Sequence, residues 1–159
     1  MKITLLTVGK IKEKYLRDAI DEYSKRLGKF CKLNIVEVKD EETKQSPSQS
    51  EIEEVKNKEG RRLMEYIDDK AYVCGLFINS KEYSSEEFAH IIDDLGVKGI
   101  SHICFVIGGS LGISDEIEKR CNMKISFSPM TFPHQLMRVI LLEQIYRAYK
   151  INNNEPYHK

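Results

Sequence analysis

No stretch of this sequence comes near the roughly 18 consecutive apolar residues that a membrane-spanning helix needs, so no membrane segment is expected. The opening, Met1-Lys2-Ile3-Thr4-Leu5-Leu6, holds one positive side chain and a short apolar run. Lys10, Lys12, Glu13 and Lys14 follow without a small-residue cleavage site, so a signal peptide is not expected and the expected location is the cytoplasm. The four cysteines (Cys31, Cys74, Cys104, Cys121) include no CxxC pair, and Cys74 and Cys104 sit inside apolar runs. That argues against a disulfide framework and a zinc cluster, and fits buried, reduced thiols with no metal. Surplus charge is missing as well: 25 basic residues balance 25 acidic ones. The chain is therefore not one that coats nucleic acid through bulk charge. A local basic surface stays possible, from Lys10, Lys12, Lys14 and Arg17 together with Lys25, Arg26, Lys29 and Lys32. Neither GxGxxG nor GxxxxGK[ST] occurs, so the dinucleotide fingerprint and the phosphate loop are both absent.

What is present fits one domain over residues 1–159, because 41% of 159 residues are apolar, enough for a single core. Residues 2–8 form a β-branched apolar run ending at Gly9, which reads as a strand and turn. Tyr15, Leu16, Ala19, Ile20, Tyr23 and Leu27 recur at helical spacing over 11–27. A second strand is expected over 32–38, then a polar surface loop over 39–49. Ser50-Glu51-Ile52-Glu53 has the pattern of a capping box and predicts a helix over 50–68. Strands are predicted over 71–78, 101–107 and 124–128. Helices are predicted from the capping box Ser84-Ser85-Glu86-Glu87, from Ser114, and over 134–151. Strands alternating with helices mean an α/β fold with a largely parallel sheet. The last helix is apolar almost all round, so one face packs on its own sheet and the other calls for a partner, most simply a second copy.

Ligands of open parallel sheets bind at the carboxyl ends of the strands. Three segments converge there: Leu76–Ser80, Ile107-Gly108-Gly109-Ser110-Leu111-Gly112, and Ser126–Pro133. Glycines let main chain approach a ligand closely, and they also make ordinary turns. The run Phe127-Ser128-Pro129-Met130-Thr131-Phe132-Pro133 is stiffened by two prolines and offers main-chain groups and apolar contacts to an adenine, or it is a rigid entry to a helix. Without a polyphosphate site, a nucleoside with an amino-acid tail is the better-fitting ligand. Arg138 and Arg147 lie nine residues apart, about 180° around the helix. They cannot serve one site of one chain. The ending Pro156-Tyr157-His158-Lys159 is either a frayed tail or a group that stacks on an RNA base and handles a proton. His90 and His102 read as structural, and His134 as a helix start, with a site role as its alternative.

Taken together, Lys2-Ile3-Thr4 to Gly9-Lys10, Phe105-Val106-Ile107-Gly108-Gly109-Ser110, Phe127 to Arg138, Glu143-Gln144-Ile145-Tyr146-Arg147-Ala148 and Pro156-Tyr157-His158-Lys159 resemble the RlmH family of the SPOUT superfamily over essentially the whole chain. The resemblance implies a SPOUT-type fold with a C-terminal trefoil knot, a homodimer, and S-adenosyl-L-methionine (SAM) bound in the knot. It implies methylation of N3 of pseudouridine 1915 in helix 69 of 23S rRNA, on the assembled ribosome. The family's cofactor positions carry onto Leu76, Gly108, Phe127, Ser128, Pro129, Met130, Thr131 and Phe132. Arg138, Tyr157 and His158 are the expected catalytic side chains, with the tail supplied by the partner chain. Leu111 departs from a commonly polar position, and Asn79-Ser80 after the third strand is a second small departure. Read without the resemblance, the residues also permit a non-catalytic dimeric module that binds a nucleoside-like ligand, or a ribosome-associated protein without cofactor.

Overall fold

The computed structural model describes residues 1–159. Five strands form one all-parallel sheet: β1 (Lys2–Val8), β2 (Lys32–Val38), β3 (Tyr72–Leu76), β4 (His102–Ile107) and β5 (Met123–Ile125), in the order β2-β1-β4-β3-β5. The connections are α1 (Lys14–Leu27), α2 (Gln49–Met64), α3 (Ser85–Val97) and α4 (Asp115–Arg120), and α5 (His134–Asn152) closes the chain. The alternation of side chains along a strand divides the core in two. Ile3 and Leu5 of β1, with Ile103, Phe105 and Ile107 of β4, face α1, α3 and α5, where Leu16, Phe88, Ile92, Leu141, Leu142 and Ile145 are buried. Leu6 and Val8, with Cys104 and Val106, face α2 and α4, where Leu63 and Ile117 are buried. Each such aliphatic side chain contributes roughly 1.5–3 kcal/mol through removal from water. Both faces of the two central strands are covered, which is why those strands are almost unbroken apolar runs.

Local signals placed the elements well, with three corrections. The cap expected at Ser50 lies two residues earlier, at Ser48, which accepts from the Glu51 N–H at 3.2 Å, and the helix expected over 50–68 runs Gln49–Met64. Ser48 and Ser50 both precede acidic residues, and only packing chooses between them. Tyr15, assigned to the buried stripe of α1, is 69% exposed, whereas Leu16, Ile20 and Leu27 carry that face. The apolar character of α5 is interrupted by Arg138, which is 1% exposed. The capping box at Ser84 forms as expected, with Glu87 donating its N–H to the serine and accepting from the Ser84 N–H at 2.7 Å. His102 is buried against Thr4 Oγ1 at 2.9 Å, a structural role. All four cysteines are free; burial pushes the Cys104 thiol up to about 12 and that of Cys121 up to about 11, so neither is a ready nucleophile. No helix is long and apolar enough to cross a membrane.

Candidate cofactor cleft and the C-terminal tail

A cleft of about 700 Å³ opens at the carboxyl ends of β3, β4 and β5. Its floor is the turn after β4. Gly112 takes φ +96°, a conformation that glycine adopts without a side-chain penalty, and its N–H donates to the Gly109 carbonyl at 3.1 Å. A Cβ on Gly108 would stand 2.7 Å from the Gly112 carbonyl carbon, so the turn closes only with glycine there. One wall is the segment after β3, from Leu76 to Ser80. The opposite wall is the segment between β5 and α5. Ser126 anchors that segment by donating its hydroxyl to the Ile78 carbonyl at 2.8 Å, while its N–H donates to the Lys81 carbonyl at 2.9 Å. Ser128 Oγ then accepts from the Met130 N–H at 3.0 Å and bends the chain outward. Met130 is 74% exposed and Phe132 37% exposed, forming an apolar lip.

Seven of the eight expected cofactor positions, Leu76, Gly108, Phe127, Ser128, Met130, Thr131 and Phe132, line this cleft; Pro129 does not. Asn79 and Ser80, from the expected Leu76–Ser80 segment, line it too; the sequence missed Ile113 and Met137 on the lining, and also the Lys124–Glu118 ion pair at its edge, 2.9 Å long. These come from separate segments, and no local spacing joins them. His134 also lines the cleft, where burial and the nearby Arg138 charge hold its pKa below the usual histidine value. Position at the start of α5 was legible; its inward aim was not. The lining is apolar and main-chain in character and has no arginine, which suits a nucleoside rather than a polyphosphate. No three His, Cys, Asp or Glu side chains converge where they could hold a metal ion.

Arg138 is not in the cleft. Its guanidinium donates to Glu37 at 2.8 Å and to the carbonyls of Val8 and Gly9 at 2.6 and 2.9 Å. Facing a bound base would require breaking all three bonds and would leave Glu37 only the Ile11 N–H at 3.0 Å. In this chain Arg138, expected to face RNA, ties the β1 turn to α5. The tail lies elsewhere. Tyr157 donates its hydroxyl to Glu143 at 3.0 Å and lies 4.7 Å from the Arg147 guanidinium, and burial with that bond pushes its phenol up to about 12. Arg147 can only donate, and the Glu86 carboxylate can only accept. His158 therefore accepts at Nδ1 from Arg147 at 3.1 Å and donates from Nε2 to Glu86 at 2.7 Å. Neither Tyr157 nor His158 lines the cleft of its own chain.

The family described as predicted SPOUT methyltransferases matches residues 1–158. The ribosomal RNA large subunit methyltransferases H of Bifidobacterium adolescentis and Clostridium novyi are 62% and 60% identical to the chain over all 159 residues and the full length of each relative. The chain belongs to the SPOUT methyltransferases, in the ribosomal RNA large subunit methyltransferase H family. It is an enzyme of the methyltransferase class. Among solved structures it is similar to a methylase-family protein from Haemophilus influenzae, with a TM-score of 0.56 at 13% identity, covering 99% of this chain and 70% of that one. A Legionella pneumophila methyltransferase solved in complex with SAM has a TM-score of 0.50 at 14% identity, covering 94% and 66%. At those identities the likeness speaks for the fold alone.

Proposed function

We propose that the chain is a homodimeric, SAM-dependent enzyme that methylates N3 of a pseudouridine, position 1915, in helix 69 of 23S rRNA on the assembled ribosome in the cytoplasm. The observation that carries the reading is full-length likeness to large-subunit rRNA methyltransferases combined with a cleft built for a nucleoside without phosphates. SAM fits this donor set: a glycine turn that no Cβ could enter, apolar walls and main-chain groups. Leu76, Gly108 and the run Phe127 to Phe132, with Pro129 stiffening the wall from outside, would hold it. When bound it supplies a methyl group on a sulfonium, already activated towards a nucleophile.

The chain's own residues then do three things. The cleft orients donor and acceptor for in-line transfer, the larger part of what such a reaction needs from a protein. Arg138 acts as a positioning residue: its bonds to Val8, Gly9 and Glu37 hold the start of α5, and with it His134, against the cleft. Tyr157 and His158 serve the cleft of the partner chain, Tyr157 stacking on the base and His158 taking the N3 proton. The apolar flank of α5 at exposed Leu136 and half-buried Val139 and Ile140 supports a second copy seated there. We also read the C-terminal part of the chain as a trefoil knot, a reading supported by the bonds from Ser126 to Ile78 and Lys81 of the 77–83 segment.

The test is transfer of tritiated methyl from SAM to ribosomes that lack the modification, with the labelled nucleotide mapped by mass spectrometry. Label on N3 of that one pseudouridine is the expected result. Label elsewhere, or no transfer to ribosomes, would sink the reading. Unchanged single-turnover rates in both His158→Ala and a chain lacking the last three residues would remove the tail from it.

A further inference from the structure

Glu59 of α2 is 3% exposed, yet its Oε2 has no hydrogen-bond partner. It lies beneath the glycine turn: a Cβ on Gly109 would stand 2.8 and 2.9 Å from its two carboxyl oxygens, and 3.2 Å from Val8. The next residue, Gly60, packs so closely on Ser114 that a Cβ there would stand 2.2 Å from Ser114 Oγ. One turn of α2 thus presses on both ends of the 108–114 segment. A buried carboxyl without a partner costs stability unless something uses it. Resting on the SAM reading of the cleft, we propose that Glu59 is a positioning residue for the cofactor: its carboxyl group, wedged beneath Gly109, sets the height of the Gly108–Gly112 turn, and the uncharged carboxyl is the form that fits.

Burial, reinforced by Asp40 and Glu41 after β2, pushes the Glu59 carboxyl up to about 7. The one cation that acts on it, Arg62 on its own helix, is engaged by Glu41 and by the Lys39 carbonyl. Val8 of β1 and the turn itself bring no titratable side chain. Ionisation puts a charge into this site without a donor beside it. Relief comes when the turn lifts to admit water or to aim an N–H at the carboxylate. Either movement reshapes the floor on which the cofactor rests.

The experiment compares intact protein with Glu59→Gln, an isosteric and permanently uncharged replacement. SAM is titrated calorimetrically between pH 6 and 8.5. In the wild type, affinity relative to the variant falls by roughly tenfold as pH rises through 7, equivalent to one pKa unit of coupling. Titration of SAM itself cancels in that ratio. A ratio that stays constant with pH overturns the proposal. In the same samples, hydrogen-exchange protection of the amides in 109–112 is measured without cofactor. Wild type loses protection above pH 7 and Glu59→Gln keeps it; equal protection also overturns the proposal. Should neither protein bind SAM at any pH, the cofactor reading fails, and the exchange measurement still decides the role of Glu59.

Discussion

The two ends of α5 solve opposite problems. At its start the chain builds a cleft from glycines, prolines and main-chain groups, and keeps ionisable side chains behind the floor, in the Arg138–Glu37 pair and the buried Glu59 carboxyl. At its finish, Glu143, Arg147, Tyr157, His158 and Glu86 form a surface network in which each polar side chain is satisfied by another. Main-chain groups lack the rotamer freedom of side chains, so the cleft selects by shape. A side-chain network at the surface can be opened and re-formed with other partners at small cost, which suits a tail that serves a second chain.

The difference is open to attack, first where it is largest. Arg138→Ala strips the charge partner from half-buried Glu37 and frees the Val8 and Gly9 carbonyls; stability falls by about 3–5 kcal/mol, read as a lower denaturant midpoint. A loss below 1 kcal/mol would mean that the charges behind the floor are not structural. Next comes pH. The Glu59 carboxyl sits at about 7 in the folded chain, against an ordinary value of 4.5. Below the lower value both states are protonated and its contribution to stability is complete. As pH rises to 7 the unfolded chain ionises first, and the contribution is lost; above 7 the profile is flat. Glu59→Gln therefore gains about 2–3 kcal/mol over wild type at pH 8 and little at pH 4. A gain that does not depend on pH would contradict this.

Gly108→Ala forces the turn open and costs cofactor affinity about 100-fold, or about 2.7 kcal/mol, measured by calorimetry. Smallest is Tyr157→Phe, which removes one bond to Glu143; melting shifts by about 1 kcal/mol or less. On ribosomes the tail reading expects more from His158→Ala than stability loss explains. If Tyr157→Phe unfolded the chain while Gly108→Ala left binding intact, the contrast between the two ends would be reversed.

Much of the fold was open to a reader of the sequence. Apolar runs of five to seven residues at β1, β3 and β4 could only be buried parallel strands, and Ser84 with Glu87 announces α3 through backbone chemistry alone. The glycine turn and the Phe127–Phe132 run were visible as places where a ligand could meet main chain. Less visible was what crosses between elements. Glu59 looks like any solvent-facing glutamate on a charged helix, since it is buried beneath Gly109, beside Val8, both from distant segments. Arg138 looks like a surface cation, because Glu37 is about a hundred positions away.

By itself, then, the sequence determined the elements, their α/β order, the glycine and proline segments at the strand ends, and the family to which they belong. Those properties are local, encoded in periodicity, caps and short motifs. Only the tertiary structure decided which charges lie inside, that His134 looks into the cleft and Arg138 away from it, and that an unpartnered carboxyl stands beneath the cofactor turn. Desolvation and pairing depend on neighbours brought together by the sheet, and no spacing along the chain records them.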